Sequence, residues 1–170
     1  MSVPASSLQV PTLHMICGKI AAGKSTLAAR LAQAPATVLV SEDYWMSRLY
    51  EGEVKTVADY GRLSARLRKA IGGHLATLLR AGLSIVLDFP ANTVANRHWM
   101  RTIFEEAASA HRLHFLDLPD EACRARLHRR NAAGTHEYVV SDAEFDAITR
   151  YFQPPTADER FETIVYREAA

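Results

Sequence analysis

Short apolar runs alternate with amphipathic stretches along most of the chain. Apolar runs bounded by glycine or polar residues are typical of buried strands, whereas apolar residues three or four apart indicate helices. The strongest helical stripe predicts one long helix over 57–80, with Gly82 just past its end. The pattern predicts five strands, at 13–17, 37–40, 83–87, 112–116 and 161–166.

Capping residues mark the starts of the shorter helices. Thr93 can cap a helix, Pro119 can open one, and Ser141 forms a capping box with Glu144. With the apolar spacing, these signals predict helices over 25–33, from the polar turn 41–43 to 50, from 93 onwards, over 119–131 and from 141 onwards. Because strands and helices alternate, the fold class is α/β, a three-layer sandwich in which helices cover both faces of a parallel sheet.

The length and charge of the chain limit what it can be. Its 170 residues suffice for one compact domain. We expect that domain to cover 12–170, after a disordered tail at 1–11. Lys and Arg number 20, Asp and Glu number 19, and the net charge is +1. This balance argues against a general electrostatic footprint for nucleic acid or for a membrane.

The sequence has no signal of export or membrane insertion. The first 18 residues contain neither Lys nor Arg and no long apolar run, unlike a secretory signal. No stretch approaches the roughly 20 apolar residues that a membrane-spanning helix needs. We therefore expect a cytoplasmic protein. Two cysteines, Cys17 and Cys123, are too few for a disulfide framework, and we expect both to be packed thiols.

The most specific motif is a glycine-rich segment, Gly18-Lys19-Ile20-Ala21-Ala22-Gly23-Lys24-Ser25, which matches G-x-x-x-x-G-K-[ST]. Its glycines permit a tight turn that directs backbone N–H groups at phosphate oxygens. Lys24 can reach the β- and γ-phosphates, and the Ser25 hydroxyl can bind Mg²⁺. An ordinary strand-to-helix turn is the alternative. Because an apolar strand precedes the motif and an alanine-rich helix follows it, the sequence predicts a phosphate-binding loop over residues 18–26, Thr26 included.

A carboxylate follows the second predicted strand, in Ser41-Glu42-Asp43. In a phosphotransferase, Asp43 would be placed to accept the proton of the attacking hydroxyl. Glu42 is the rival carboxylate for this role. The structural alternative is that Asp43, or Ser41, only caps the helix that follows.

A second carboxylate, Asp88, ends the third predicted strand after Ile85-Val86-Leu87. An acid in this position is the Walker B pattern, which holds Mg²⁺ directly or through water. Any strand can end in Asp, so the Walker B interpretation of Asp88 depends on the presence of the phosphate-binding loop. The predicted metal ligands are therefore Ser25 and Asp88.

A basic cluster lies on the helix after the fourth strand: Arg124, Arg126, Arg129 and Arg130. Arg126 and Arg130 are four residues apart and share a helix face. They could stack on a base or contact the transferred phosphoryl group, or they could only complement the helix dipole. A second basic stripe on the long helix is expected to be a solvated face: Arg62, Arg66 and Lys69.

With these residues the chain resembles the P-loop kinases of the adenylate-kinase-like class. Within that class it is similar to the small ATP-binding proteins grouped near zeta toxins and chloramphenicol phosphotransferase, predicted kinases of AAA type. The likeness runs from about Leu13 to Val165. Besides the loop, the matching pieces are Ser-Glu-Asp-Tyr-Trp at 41–45, Val-Leu-Asp-Phe-Pro-Ala-Asn-Thr at 86–93, Leu-Asp-Leu-Pro at 116–119, Arg-Ala-Arg-Leu-His-Arg-Arg-Asn at 124–131 and Val-Ser-Asp-Ala-Glu-Phe-Asp at 140–146.

The resemblance implies a five-stranded sheet in the order 2-3-1-4-5 and a lid over ATP at about 132–140. It implies that Asp43 is the catalytic base and that Arg126 or Arg130 contacts the nucleotide. Taking the residues together, we expect Lys24 and Arg130 to act in catalysis as well. Adenylate kinases follow the strand-ending Asp with Gly-Phe-Pro-Arg, and that Arg holds the nucleotide substrate. Here Asp88-Phe89-Pro90-Ala91-Asn92 lacks the Arg, which argues against a nucleoside monophosphate acceptor.

These observations predict a kinase that uses ATP and Mg²⁺ to phosphorylate a hydroxyl of an unidentified small molecule. The first alternative is a nucleotide-dependent regulatory ATPase or switch with no acceptor of its own. The second is a polynucleotide 5′-hydroxyl kinase, which would need a basic channel. The balanced net charge disfavours this second alternative.

Overall fold

The computed structural model describes residues 10–134 and 139–167. Within them, five strands form one sheet in the order β2-β3-β1-β4-β5, and every neighbouring pair is parallel. This confirms the predicted fold class and strand order. The strands are β1 (Thr12–Gly18), β2 (Thr37–Ser41), β3 (Ser84–Pro90), β4 (Ala110–Leu116) and β5 (Thr163–Tyr166).

The helices connect successive strands, as parallel pairing requires. Thr93 caps α4 by accepting a hydrogen bond from the Asn96 N–H at 3.1 Å, and Ser141 and Glu144 form the predicted capping box at the start of α6. The helices are α1 (Lys24–Leu31), α2 (Glu42–Leu49), α3 (Val57–Arg80), α4 (Val94–Ala107), α5 (Asp120–Ala133) and α6 (Asp142–Thr149), and a 3₁₀ turn, Ala157–Glu159, follows α6.

The sheet separates two apolar clusters. Leu13 and Met15 of β1 belong to the cluster that includes the buried stripe of α3, whereas Ile16 belongs to the cluster with α1 and α5. Both faces of the central strand are therefore covered, which is why its sequence reads as a continuous apolar run. The α3 stripe is buried as its spacing predicted: Leu63, Leu67, Ile71, Leu75 and Leu79.

Several element boundaries differ from the predicted ones. β3 continues through Asp88 to Pro90 instead of ending at 87, because Asp88 pairs with Ser41 of β2 and Pro90 pairs with Ile16 of β1. β1 likewise includes Gly18, and β5 begins at 163 instead of 161. α1 begins at 24 and ends at 31, earlier than predicted at both ends. For the strands, pairing with a neighbouring strand decides where they end, and the local sequence does not show that pairing.

The two predicted peripheral segments fall largely outside the described residues. Of the tail at 1–11 the structure describes 10 and 11, and of the lid at about 132–140 it describes 132–134 and 139–140. Both therefore remain predictions. Within the described ranges, no helix has the length and apolar character needed to cross a membrane.

Candidate active site

The predicted site residues follow strands that end at one edge of the sheet. β1 lies between β3 and β4, and its loop, residues 18–25, leaves from the carboxyl end. Ser41, the last residue of β2, lies beside Asp88, which is two residues before the end of β3. In open parallel sheets, ligands bind in the crevice beyond the carboxyl ends of the strands. The fold therefore places the loop and both predicted carboxylate positions at one edge of the sheet.

The two glycines of the loop are required for different reasons. Gly23 caps α1 with a φ of 103°, a left-handed conformation that glycine adopts without strain. Gly18 is instead constrained by packing, since a Cβ there would lie 3.1 Å from the Leu116 Cβ. Ala21 also has a positive φ, of 60°. The backbone of the loop is therefore tightly turned, and it is held at its start by packing against Leu116 and at its end by the first turn of α1.

The ammonium group of Lys24 lies inside the loop. Its Nζ donates hydrogen bonds to the carbonyl oxygens of Gly18 and Lys19, at 2.7 and 2.9 Å. Burial lowers the pKa of Lys24, while the negative charges of Asp88 and, more weakly, Asp43 act in the opposite direction. Hydrogen bonds to the loop's own carbonyl groups therefore hold the Lys24 Nζ at the place where the motif predicts phosphate oxygens.

The Ser25 side chain favours the ionised form of Asp88. Burial raises the pKa of Asp88, and a hydrogen bond with Ser25 and the charge of Lys24 oppose that rise. A partly buried carboxylate whose ionised form is penalised in this way gains from a nearby cation. A hydroxyl and a carboxylate are also the oxygen ligands that Mg²⁺ prefers, together with water and phosphate. These two residues fit a magnesium ion.

The rival carboxylates after β2 have different surroundings. Ser41 caps α2 by accepting from the Tyr44 N–H, so the cap does not need Asp43. Glu42 is buried, with 1% exposure, and accepts hydrogen bonds from Tyr60 Oη at 2.7 Å and Arg68 Nη2 at 3.1 Å. Asp43 is exposed in the first turn of α2, and its charge acts on Lys24.

Ser64 Oγ also donates to the Glu42 carboxylate. Arg68 Nη1 donates to Asn96 Oδ1. Glu42 is thus held in a network between α2, α3 and α4. It serves the packing of these helices, which leaves Asp43 as the candidate for contact with a reacting molecule.

The basic cluster of α5 divides into separate roles. Arg126 Nη1 donates to the Ala22 carbonyl of the loop at 3.0 Å. Arg124 pairs instead with Asp142 and Asp146 of α6. Arg129 is exposed, and the Nε of Arg130 is buried without a hydrogen-bond partner among the described residues. Of the four arginines, Arg126 is the one that the structure brings into contact with the loop.

The remaining loop residues also have distinct surroundings. The Lys19 ammonium forms an ion pair with Asp120 at the start of α5 and donates to the Leu118 carbonyl at 3.2 Å. Ala22 is fully buried, and Thr26 is exposed in the first turn of α1. Any phosphate contact of residues 19–22 would therefore come from their backbone N–H groups.

Asn92 is a site residue that the sequence analysis missed. Its Oδ1 accepts a hydrogen bond at 2.9 Å from the N–H of Gly18, the first residue of the loop. The available signal was a polar residue a few positions after Asp88, at the same edge of the sheet. The predicted solvated stripe on α3 is confirmed, since Arg62, Arg66 and Lys69 are exposed.

A cleft of about 260 Å³ opens beside the loop and includes Lys24. One side is formed by the loop and the segment after β3, the other by the end of α6 and the residues after it. It is lined by Lys19, Ile20, Lys24, Pro90, Asn92, Thr93, Ile148, Thr149, Tyr151 and Phe152. A larger cavity of about 370 Å³, between α4 and the 3₁₀ turn, contains none of the predicted site residues.

This sheet order, with a G-x-x-x-x-G-K-S loop after its central strand, defines the fold of the P-loop kinases. The chain belongs to the family described as AAA domain, whose match covers residues 13–155. The comparison with curated proteins found no match.

Solved structures share the fold at low sequence identity. A protein from Chloroflexus aurantiacus that has been assigned as a kinase is 20% identical, with a TM-score of 0.71, over 94% of this chain and 86% of that one. A gluconokinase from Sinorhizobium meliloti is 16% identical, with a TM-score of 0.60, over 96% and 86%. The APS kinase of Mycobacterium tuberculosis, in complex with AMPPNP and APS, is 17% identical, with a TM-score of 0.59, over 86% and 84%.

Proposed function

We propose that this protein is a kinase that transfers the γ-phosphoryl group of ATP to a hydroxyl of a small molecule, in the cytoplasm. The observation that carries the proposal is the meeting of Lys24, Ser25, Asp88 and Asp43 at one edge of the sheet. A fixed positive charge, an oxygen-rich cation site and an exposed carboxylate are what phosphoryl transfer requires of a protein. The kinases among the structural neighbours support the same reaction class.

The loop and α1 would hold the phosphates of ATP. Backbone N–H groups within residues 18–26, other than those of Gly18 and Ala22, which already have protein acceptors, would donate to phosphate oxygens at the positive end of the α1 dipole. Lys24 would neutralise charge on the β- and γ-phosphates, and Arg126, already at the Ala22 carbonyl, would add a second cation. Mg²⁺ bound through Ser25 and Asp88 would supply further charge neutralisation.

Asp43 would act on the acceptor. It lies in the first turn of α2, where the helix dipole stabilises negative charge. The acceptor hydroxyl would give its proton to Asp43 as its oxygen bonds to the γ-phosphorus. The bond from that phosphorus to the β–γ bridging oxygen breaks at the same time, and ADP leaves.

Closure of the site would come from α5 and the segment after it. Arg130 would complete the charge stabilisation, and its buried Nε, which lacks a protein partner in the described part of the chain, supports an additional contact. The lid at about 132–140 would exclude water from the transfer step. Water exclusion matters because hydrolysis of ATP competes with transfer.

The test is a transfer screen with purified protein, Mg²⁺ and γ-labelled ATP. Pools of hydroxylated metabolites, aminoglycosides, nucleosides and short oligonucleotides serve as acceptors. We expect label to move into one pool with the wild-type protein, and not with Lys24→Ala or Asp43→Asn. Asp43→Asn should still bind ATP, because Asp43 acts on the acceptor.

Two matched variants control for loss of a surface charge. Lys55→Ala and Glu51→Gln each remove one charge from exposed residues beyond α2, and both should transfer label like the wild type. If the protein binds ATP but the label appears only as free phosphate, the protein is a regulatory ATPase and not a kinase. Label in the oligonucleotide pool alone would assign a polynucleotide kinase.

A further inference from the structure

Arg97 is a fully buried arginine that the local sequence does not explain. Its exposure is 0%, and it lies in the first turn of α4, whose dipole disfavours a positive charge. Burying a guanidinium is costly unless all its donors are satisfied. A residue that conflicts with its own helix in this way is expected where it serves another part of the structure.

The partners of Arg97 come from segments that are distant in sequence. Its Nε and Nη2 donate to the two carboxylate oxygens of Glu159, at 2.7 and 2.8 Å. Its Nη1 donates to the carbonyl oxygens of Ala91 and Gln153, each at 2.8 Å. One side chain thus joins the segment after β3 to the segment after α6. The planar, bidentate geometry is one that Lys cannot reproduce.

The segment after β3 in turn holds the start of the phosphate-binding loop. The Ala91 N–H donates to the Ile16 carbonyl at 3.1 Å, and Asn92 Oδ1 accepts from the Gly18 N–H at 2.9 Å. The Gln153 N–H donates to the Asn92 carbonyl at 2.9 Å. The backbone is therefore bonded on both sides of Cys17, directly before the loop turns.

We propose that Arg97 is a positioning residue of the nucleotide site, which, with Glu159, holds Ala91 and Asn92 so that Asn92 orients Gly18 for phosphate binding. The inference rests on the proposed ATP site and adds Arg97 and Glu159, neither of which lines the cleft beside the loop. Because the amides of the loop must be aligned before phosphate arrives, a loosened start of the loop weakens binding without removing any contact to the ligand.

The test measures ATP affinity by calorimetry on the full chain, together with the free energy of unfolding. The variants are Arg97→Lys, Asn92→Ala and the double variant. Ile103→Val, a buried change further along α4, is the control for general destabilisation. Asn92→Ala keeps the test decisive even where Arg97→Lys folds poorly, because it leaves the buried ion pair intact.

We expect Arg97→Lys and Asn92→Ala each to weaken ATP binding about tenfold, the loss that one misplaced hydrogen-bond group produces. Ile103→Val should lower stability and leave affinity unchanged. The fold-loss of ATP affinity in the double variant should be smaller than the product of the fold-losses in the two single variants, because both changes act through the same segment. Folded single variants that bind ATP like the wild type, or losses that multiply fully, would overturn the inference. Absence of ATP binding in the wild-type protein would instead overturn the proposed function and this inference with it.

Discussion

Arg68 donates two hydrogen bonds to the buried carboxylate of Glu42, at 3.1 and 3.3 Å, while the next residue in the chain, Asp43, stays exposed. Two adjacent carboxylates thus have different roles because one faces α3 and the other faces solvent at the edge of the sheet. This relationship separates the structural residue from the candidate base.

The first prediction follows from that separation. Glu42→Ala should lower the free energy of unfolding by about 3 kcal/mol, because it leaves the Arg68 charge and the hydroxyls of Tyr60 and Ser64 without their shared partner. Asp43→Asn should change it by less than about 1 kcal/mol, as exposed substitutions do. Urea denaturation measures both. Equal losses in the two variants would show that Asp43 also supports the fold.

The second prediction concerns the arginines of α5. Arg126→Ala should weaken ATP binding by about tenfold or more, because its guanidinium lies at the Ala22 carbonyl and carries charge to the loop. Arg124→Ala is the matched control, since Arg124 pairs with Asp142 and Asp146 on α6. Calorimetric titration with ATP distinguishes them. Weaker binding in Arg124→Ala alone would place the nucleotide on the other side of α5.

The third prediction is a pH dependence of stability. His14 Nδ1 and His114 Nε2 are 3.0 Å apart, and His114 Nδ1 is 2.9 Å from Tyr166 Oη. Burial and the charges of His14 and Arg112 lower the pKa of His114 from 6.5 to about 4. Because the folded-state pKa is depressed, the contribution to stability is complete above about pH 6.5 and is lost as the pH falls towards 4.

His114→Gln keeps hydrogen-bonding capacity but cannot take up a proton. We expect this variant to have a flatter dependence of the urea midpoint on pH between about 4 and 6.5 than the wild-type protein. Some dependence should remain, since burial and the charge of Arg112 also lower the pKa of His14. Identical pH profiles for the two proteins would contradict the assignment.

The fourth prediction concerns the end of α4. Ala108 has a φ of 50° at the C-terminal cap, a left-handed conformation that costs an alanine about 1 kcal/mol and a glycine almost nothing. Ala108→Gly should therefore raise the thermal midpoint. Ala70→Gly, at an exposed position inside α3, should lower stability by about 1 kcal/mol. A fall in stability for both variants would show that the φ at 108 carries no strain.

Much of the fold could be predicted from sequence because its signals are local. The long helix over 57–80 has the predicted bounds, and Thr93, Ser141 and Glu144 cap the helices that their patterns indicated. The predicted ends of the strands were less accurate, because β3 and β1 continue as far as the neighbouring strands pair with them. The roles of individual site residues remain predictions. Their position at the same edge of the sheet could be predicted, because parallel strands all end at that edge.

By itself, the sequence determined the alternation of strands and helices, the G-x-x-x-x-G-K-S motif over 18–25 and the carboxylates after β2 and in β3. These are short-range properties, since each depends on side chains within a few positions of one another. The tertiary structure decided which carboxylate is buried, which arginine reaches the loop and what holds Gly18. Glu42 meets Arg68, Arg126 meets Ala22 and Arg97 meets Glu159 across 26, 104 and 62 positions of the chain. Contacts between such distant positions form only when the sheet brings them together, so no local pattern could reveal them.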